Sequence, residues 1–157
     1  MGINVLMQHI PSVESFHERR NMNNNANTII IGAGRMGSSI ARLLNEENNV
    51  MLVDKNRMKL QNVLDFSGYL EAGDATDLTF LEQCGIANAR RVIIITDDDN
   101  TNIYLADICC YLYGVEDIYV RLKDSRKSKI VDPRVKCICQ FDLLLEDFIK
   151  QSGRDYK

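Results

Sequence analysis

An α/β fold built on a doubly wound parallel sheet of six strands, in the order 3-2-1-4-5-6, is what this sequence predicts, and three observations carry the prediction. The apolar run Thr28-Ile29-Ile30-Ile31 breaks into Gly32-Ala33-Gly34-Arg35-Met36-Gly37 and resumes at helical spacing with Ile40, Leu43 and Leu44. A second apolar run, Val50-Met51-Leu52-Val53, ends on the carboxylate of Asp54. Beyond it, short apolar runs and helix-patterned segments alternate as far as Lys150. A glycine-spaced turn between strand and helix, an acid at the end of the second strand and sustained alternation are the marks of a Rossmann-like sheet.

Each element has its own reason. The first strand, from Thr28, is continuously apolar, as a parallel strand covered on both faces must be. A helix over about 35–46 follows, with Ile40, Leu43 and Leu44 on one face. The second strand ends at Asp54, and a helix is expected over 56–64. The short strand Tyr69-Leu70-Glu71-Ala72 leads to Gly73-Asp74-Ala75-Thr76-Asp77 and a helix through Leu78, Leu81 and Cys84. Arg91-Val92-Ile93-Ile94-Ile95-Thr96 is the most apolar strand, its β-branched run indicating burial on both faces. The acidic loop Asp97-Asp98-Asp99 opens a long helix to about Tyr113. A strand over 118–122, a short helical segment near 125–131, a last strand over 135–139 and a final helix over 142–150 complete the pattern.

The glycine spacing has a physical use. Gly32 allows the tight turn, Gly34 removes a Cβ that would block a pyrophosphate, and Gly37 lets the helix pack close to the strand. The first-turn N–H groups of that helix lack intrahelical partners and carry the positive end of its dipole, so an anion is stabilised there without any side chain. Asp54 stands close to the ~20-residue offset at which an acidic side chain meets the ribose hydroxyls of an adenosine. It favours a free 2′-hydroxyl and repels a 2′-phosphate, so NADP is disfavoured relative to NAD(H), ATP, ADP or AMP. The alternative is that Asp54 caps the helix beginning near Asn56.

The 157 residues suit one domain with a sizeable core. A formal charge of −3 and a pI near 5.4 give no electrostatic reason to expect nucleic acid or an anionic membrane as partner. No apolar run approaches the ~20 residues that cross a bilayer, and the N-terminus lacks a signal-peptide pattern. A cytoplasmic chain without direct membrane insertion is therefore expected. Cysteines at 84, 109, 110, 137 and 139 form no CxxC pair and have no histidine nearby, so they read as buried small apolar residues. Residues 1–27 hold both histidines, His9 and His17, and an asparagine-rich tract in which Met22 is a candidate start. They read as a flexible N-terminal arm ahead of a nucleotide-binding domain over 28–151.

Five motifs occur together: Ile30-Ile31-Gly32-Ala33-Gly34-Arg35-Met36-Gly37, Val53-Asp54-Lys55-Asn56, Gly73-Asp74-Ala75-Thr76-Asp77, Ile95-Thr96-Asp97-Asp98-Asp99-Asn100-Thr101-Asn102 and Val120-Arg121-Leu122-Lys123-Asp124. In this combination the chain resembles the RCK/KTN family, the TrkA-N-like domains that regulate potassium channels and transporters, over about residues 28–150. The step at Gly73–Asp77 is the specific part. The resemblance implies that the backbone from Gly32 through Ala33, Gly34, Arg35 and Met36 to Gly37 holds phosphates, with Asp54 on the ribose and Lys55 beside it. Asp74, Ala75 and Thr76 would border the adenine, and Thr96, Asp98 and Arg121 match positions lining the cleft. Arg35 looks like the arginine that some members place near terminal phosphates, where its planar fork pairs with phosphate oxygens. The alternative for Arg35 is a solvated first-turn arginine.

By the same resemblance the chain is a regulatory subunit that senses adenine nucleotide (ATP, ADP or AMP) or NAD(H). It would work as a homodimer or higher homo-oligomer, held at the inner face of the cell membrane by a membrane-embedded potassium channel or transporter subunit. Many members add a smaller C-terminal ligand-binding domain, and no C-terminal RCK subdomain is expected here.

Asp97, Asp98 and Asp99 stand where three carboxylates would repel a polyphosphate unless a divalent cation, or basic residues from another subunit, lay between. Helix capping is the plainer account, and no residue is assigned as a metal ligand. The rival class is an NAD-dependent oxidoreductase, which requires a proton donor or acceptor of tuned pKa beside the cofactor. Residues 28–157 contain no histidine, and the YxxxK pattern from Tyr119 to Lys123 falls in a strand, where four residues span ~13 Å. A sensor that works by differential binding needs no such group. A ligand-free interaction module is a third possibility, opposed by the intact Gly32, Gly34, Gly37 and Asp54. Leu143, Leu144, Leu145, Phe148 and Ile149 of the final helix exceed what a one-sided surface helix needs, and serve either subunit pairing or the monomer core.

Overall fold

The computed structural model describes residues 26–44, 46, 49–63 and 65–153, so the expectations for residues 1–25 and for Leu64 lie outside the described residues. Six strands form one parallel sheet: β1 (Thr28–Ile31), β2 (Val50–Asp54), β3 (Tyr69–Ala72), β4 (Arg91–Ile94), β5 (Asp117–Leu122) and β6 (Lys136–Cys139). Their order is β3-β2-β1-β4-β5-β6, the order that the alternating pattern predicts. The crossovers carry α1 (Arg35–Leu43), α2 (Arg57–Gln61), α3 (Leu78–Gln83) and α4 (Asp99–Asp107), and α5 (Gln140–Ser152) follows β6.

Successive side chains of a strand point to opposite faces, so the continuous apolar runs feed two cores. Ile29, Ile31, Met51, Val53, Val92 and Ile94 face one side with Leu81 of α3 and Leu105, Ala106 and Cys109 from the α4 region. Ile30, Val50, Leu52 and Ile93 face the other with Ala41 of α1 and Leu60 of α2. Removing this apolar surface from water is the main stabilising term, at roughly 25 cal/mol per Å². Ala26 is fully buried and the Asn27 carbonyl accepts from the N–H groups of Arg90 and Arg91, so these two residues already belong to the packed domain.

Several boundaries differ from the sequence expectation. α1 stops at Leu43 rather than 46, and β4 at Ile94 rather than Thr96. The expected single helix to Tyr113 is α4 followed by a π-helical turn, Ile108–Leu112, closed by the Tyr113 N–H on the Ile108 carbonyl at 3.2 Å. The wider turn narrows the angle between successive side chains, so adjacent Cys109 and Cys110 both reach the core. A 3₁₀ turn at Ile86–Asn88 has no counterpart in the sequence expectation. Cys84, Cys109 and Cys110 are buried as expected, whereas Cys137 and Cys139 are only half-buried, because β6 is an edge strand.

Candidate functional site

Strand register brings the carboxyl ends together: Ile31 of β1 pairs with Val53 and Ile94, and Asp54 pairs with Ala72. The candidate binding residues therefore fall at or just beyond the carboxyl ends of β1 to β5, around the switch point where β1 separates β2 from β4.

The turn after β1 is shaped by its glycines. Gly32 has φ +114°, and a Cβ there would meet the Ile95 carbonyl oxygen at 2.8 Å. A Cβ on Gly37 would lie 1.8 Å from the Gly32 oxygen, so α1 approaches the turn as closely as glycine allows. At Gly34 an added Cβ would meet nothing within 4 Å. The turn is open on that side, which is the room a phosphate group requires. Arg35 and Met36 are exposed, and Arg35 makes no ion pair among the described residues.

Asp54 ends β2 with 8% exposure. Its Oδ2 accepts from the Ala33 N–H at 2.8 Å and its Oδ1 from the Asn56 N–H at 2.7 Å. The capping alternative for Asp54 fails, since the N-cap of α2 is Asn56, whose side chain accepts from the Met58 N–H at 3.0 Å. Asp54 instead ties the glycine turn to β2, and each of its oxygens keeps a lone pair for a hydroxyl donor. Lys55 beside it is exposed. After β3, Asp74 Oδ1 accepts from the Thr76 N–H at 2.9 Å and the Thr76 hydroxyl at 2.7 Å. These bonds hold the Asp74 carboxyl below the usual range, helped by the charge of Lys55. Ala75 between them is buried.

On the β4 side the three acids divide into separate roles. Asp98 is the N-cap of α4, accepting from the Thr101 N–H at 2.6 Å, as the capping account expects. Asp99 is buried and accepts from the N–H groups of Lys123 and Asp124 at 2.9 and 3.1 Å, fastening α4 to the end of β5. Asp97 is exposed, 3.3 Å from the Arg121 guanidinium and 3.7 Å from Lys59, and its carbonyl accepts from the Lys123 ammonium. Arg121, then the charges of Lys59 and Lys123, hold its carboxyl below the usual range. Lys59, Arg121, Lys123 and Lys127 of the same chain supply positive charge around these acids. Among the described residues no group of three or more His, Cys, Asp or Glu is placed to hold a metal ion.

Thr96 and Arg121 meet through a residue the sequence argument passed over. Asn102 is fully buried. Its Oδ1 accepts from the Thr96 N–H and hydroxyl, and its Nδ2 donates to the carbonyls of Thr96 and Arg121. The signal was an amide one residue before Ile103 and three before Leu105, within the apolar stretch of the helix. The Arg121 guanidinium also donates to the Thr96 carbonyl at 2.6 Å, and its Nε is buried without a partner. Tyr119 and Lys123 do not act as a pair: Tyr119 meets Lys136, at 3.2 Å, while Lys123 turns to Asp97.

Residues 28–135 match the family model described as the TrkA-N domain. The Trk system potassium uptake protein TrkA homolog of Pyrococcus horikoshii is 31% identical over 119 residues, covering 74% of this chain and 52% of that protein. This chain spans about half the length of the curated relatives it matches. Among solved structures, GsuK bound to ADP is 25% identical with a TM-score of 0.65, covering 85% of this chain and 36% of that one. The TrkA-N domain of the inner membrane protein ybaL from Escherichia coli has a TM-score of 0.72 at 12% identity, over 80% of this chain and 96% of that one, a likeness of fold.

Proposed function

Since the chain belongs to the TrkA-N domain family, we propose that it is a regulatory domain that binds an adenine nucleotide or NAD(H) and gates a potassium channel or transporter. The observation that carries this reading is the glycine turn: Ala33 is held to Asp54 while the Gly34 side stays open. The residues present fit such a ligand. The turn from Gly32 to Gly37, with Ala33, Arg35 and Met36, would take the phosphates, Asp54 the ribose with Lys55 beside it, and Asp74, Ala75 and Thr76 the adenine. Thr96, Asp98 and Arg121 would line the far side of the cleft. Potassium uptake by the TrkA homolog and the ADP in GsuK support this assignment. A regulator needs only different affinity in its two states, and no chemistry.

The domain works as a homodimer or larger assembly, recruited to the inner face of the membrane by its potassium-conducting partner. Among the described residues no helix is long and apolar enough to cross a membrane. Phe141, Leu144 and Phe148 of α5 are 60% exposed or more, and no residue of that helix is buried, which favours subunit pairing over completion of the monomer core. Sedimentation of the wild type against Phe148→Asp tests this: an assembly that falls to a monomer supports it, and a monomeric wild type opposes it.

Calorimetric titration with ATP, ADP, AMP, NAD and NADH, with and without magnesium, tests the ligand. Binding that Asp54→Ala abolishes supports the site. Differing ATP and ADP affinities that Arg35→Ala brings together would assign Arg35 to the terminal phosphate. Binding of NAD or NADH alone would make the domain a redox sensor, and binding of none would refute the reading.

A further inference from the structure

Lys59 stands across the mouth of the cleft. Its ammonium lies 3.9 Å from Asp54 Oδ2 and 3.7 Å from Asp97 Oδ2. One cation from α2 thus spans carboxylates at the ends of β2 and β4, the two strands that flank β1 and its glycine turn. Both separations are those of charge attraction without a hydrogen bond, unlike the 2.8 Å at which Arg91 meets Asp117. The side chain is 40% exposed, and exposed pairs of this kind contribute little to stability.

The two carboxylates do not depend on it. Asp54 is held by the N–H groups of Ala33 and Asn56, and Asp97 by Arg121, with Lys123 on its carbonyl. Lys59 can therefore leave both without breaking a hydrogen bond. A phosphate on the glycine turn brings charge into a space bordered by Asp54 and Asp97, and repulsion by those acids opposes it. The ammonium already lying between them has three donors to offer and a flexible stem on which to turn.

We propose that Lys59 is an exchangeable counter-ion of the cleft, spanning Asp54 and Asp97 in the ligand-free protein and transferring to the phosphate of a bound adenine nucleotide. Asp97 then keeps only partners on or just after β5, Arg121 and Lys123. Phosphate charge, more than adenosine, becomes what the loop between β4 and α4 responds to. The inference rests on the nucleotide reading above and names a regulatory residue within that site.

The test titrates adenosine, AMP and ADP into wild type, Lys59→Met and Lys59→Arg, with hydrogen exchange followed over residues 96–101. Lys59→Met is expected to weaken ADP roughly five- to tenfold while leaving adenosine unchanged or tighter. Lys59→Arg should restore ADP, and the ADP-induced change in exchange should be lost in Lys59→Met alone. Equal weakening of adenosine and ADP, or no change in either, overturns the proposal while leaving the nucleotide reading standing. A wild type that binds none of the three overturns this inference, and leaves NAD(H), among the ligands named above, for the calorimetric titration to decide.

Discussion

Asn102→Ala is the substitution that separates a structural knot from a surface decoration. The side chain is fully buried, and four hydrogen bonds pass through its amide, two accepted from Thr96 and two donated to the carbonyls of Thr96 and Arg121. At about 1 kcal/mol net for each bond, their loss costs about 3–4 kcal/mol, because the Thr96 carbonyl keeps the Arg121 guanidinium while the Thr96 N–H loses its acceptor. Against a typical total of about 5–15 kcal/mol this is a large fraction. Urea unfolding measures it as a lower midpoint at unchanged slope. Asn102→Asp refines the test, since it keeps the acceptor but points an anion at two carbonyl oxygens. The buried carboxyl would have a folded pKa above its unfolded value of about 3.9, so it binds more protons folded than unfolded. Its penalty should grow as pH rises through that interval and shrink toward acid. A loss below about 1 kcal/mol for Asn102→Ala would mean that water takes over the amide's bonds, and would refute the argument.

Gly37→Ala places a Cβ 1.8 Å from the Gly32 oxygen, and backbone cannot give way as a flexible side chain can. A loss of at least about 3 kcal/mol, or failure to fold, is expected from thermal melts, and a change below about 1 kcal/mol would contradict the packing. The carboxyls of Asp97, Asp98 and Asp124 lie below their ordinary 3.8, Asp124 at about 2 because Arg126 pairs with it. Depressed carboxyls contribute stability that is complete above about pH 4 and is lost as pH falls through their folded values. Denaturant midpoints should hold steady from pH 8 to about 5 and decline below 4, with Asp124→Asn flattening the decline. Burial pushes the thiols of Cys84 and Cys109 up to about 12, so neither should react with iodoacetamide at pH 8 until the protein is unfolded. Labelling of the native protein read by mass spectrometry checks this, and rapid modification at either position would show the core to be open.

How much was legible follows from where each signal resides. The strand order, the role of Gly32 and the placement of Asp54 at a strand end depend on local pattern, which the chain displays within a few residues. The end of α1, the π-helical turn after α4 and the half-burial of Cys137 and Cys139 depend on neighbours. Helix ends respond to the packing of the next strand, and an edge strand has cover on one side only. No local pattern sets Asn102 or Lys59 apart, and Asp99 stands in the sequence as one of three consecutive acids.

By itself, then, the sequence determined the alternating parallel sheet, the open glycine turn and the acid that faces it, because hydrophobic period and glycine spacing act over short range. Only the tertiary structure decided how the edge is wired. Asn102 binds Thr96 and Arg121, Asp99 holds the end of β5, and Lys59 spans Asp54 and Asp97. Those partners lie as many as 38 positions apart along the chain, as in the Lys59 to Asp97 pair. Hydrogen bonds and ion pairs form only within about 3–4 Å, and the fold alone brings such groups that close.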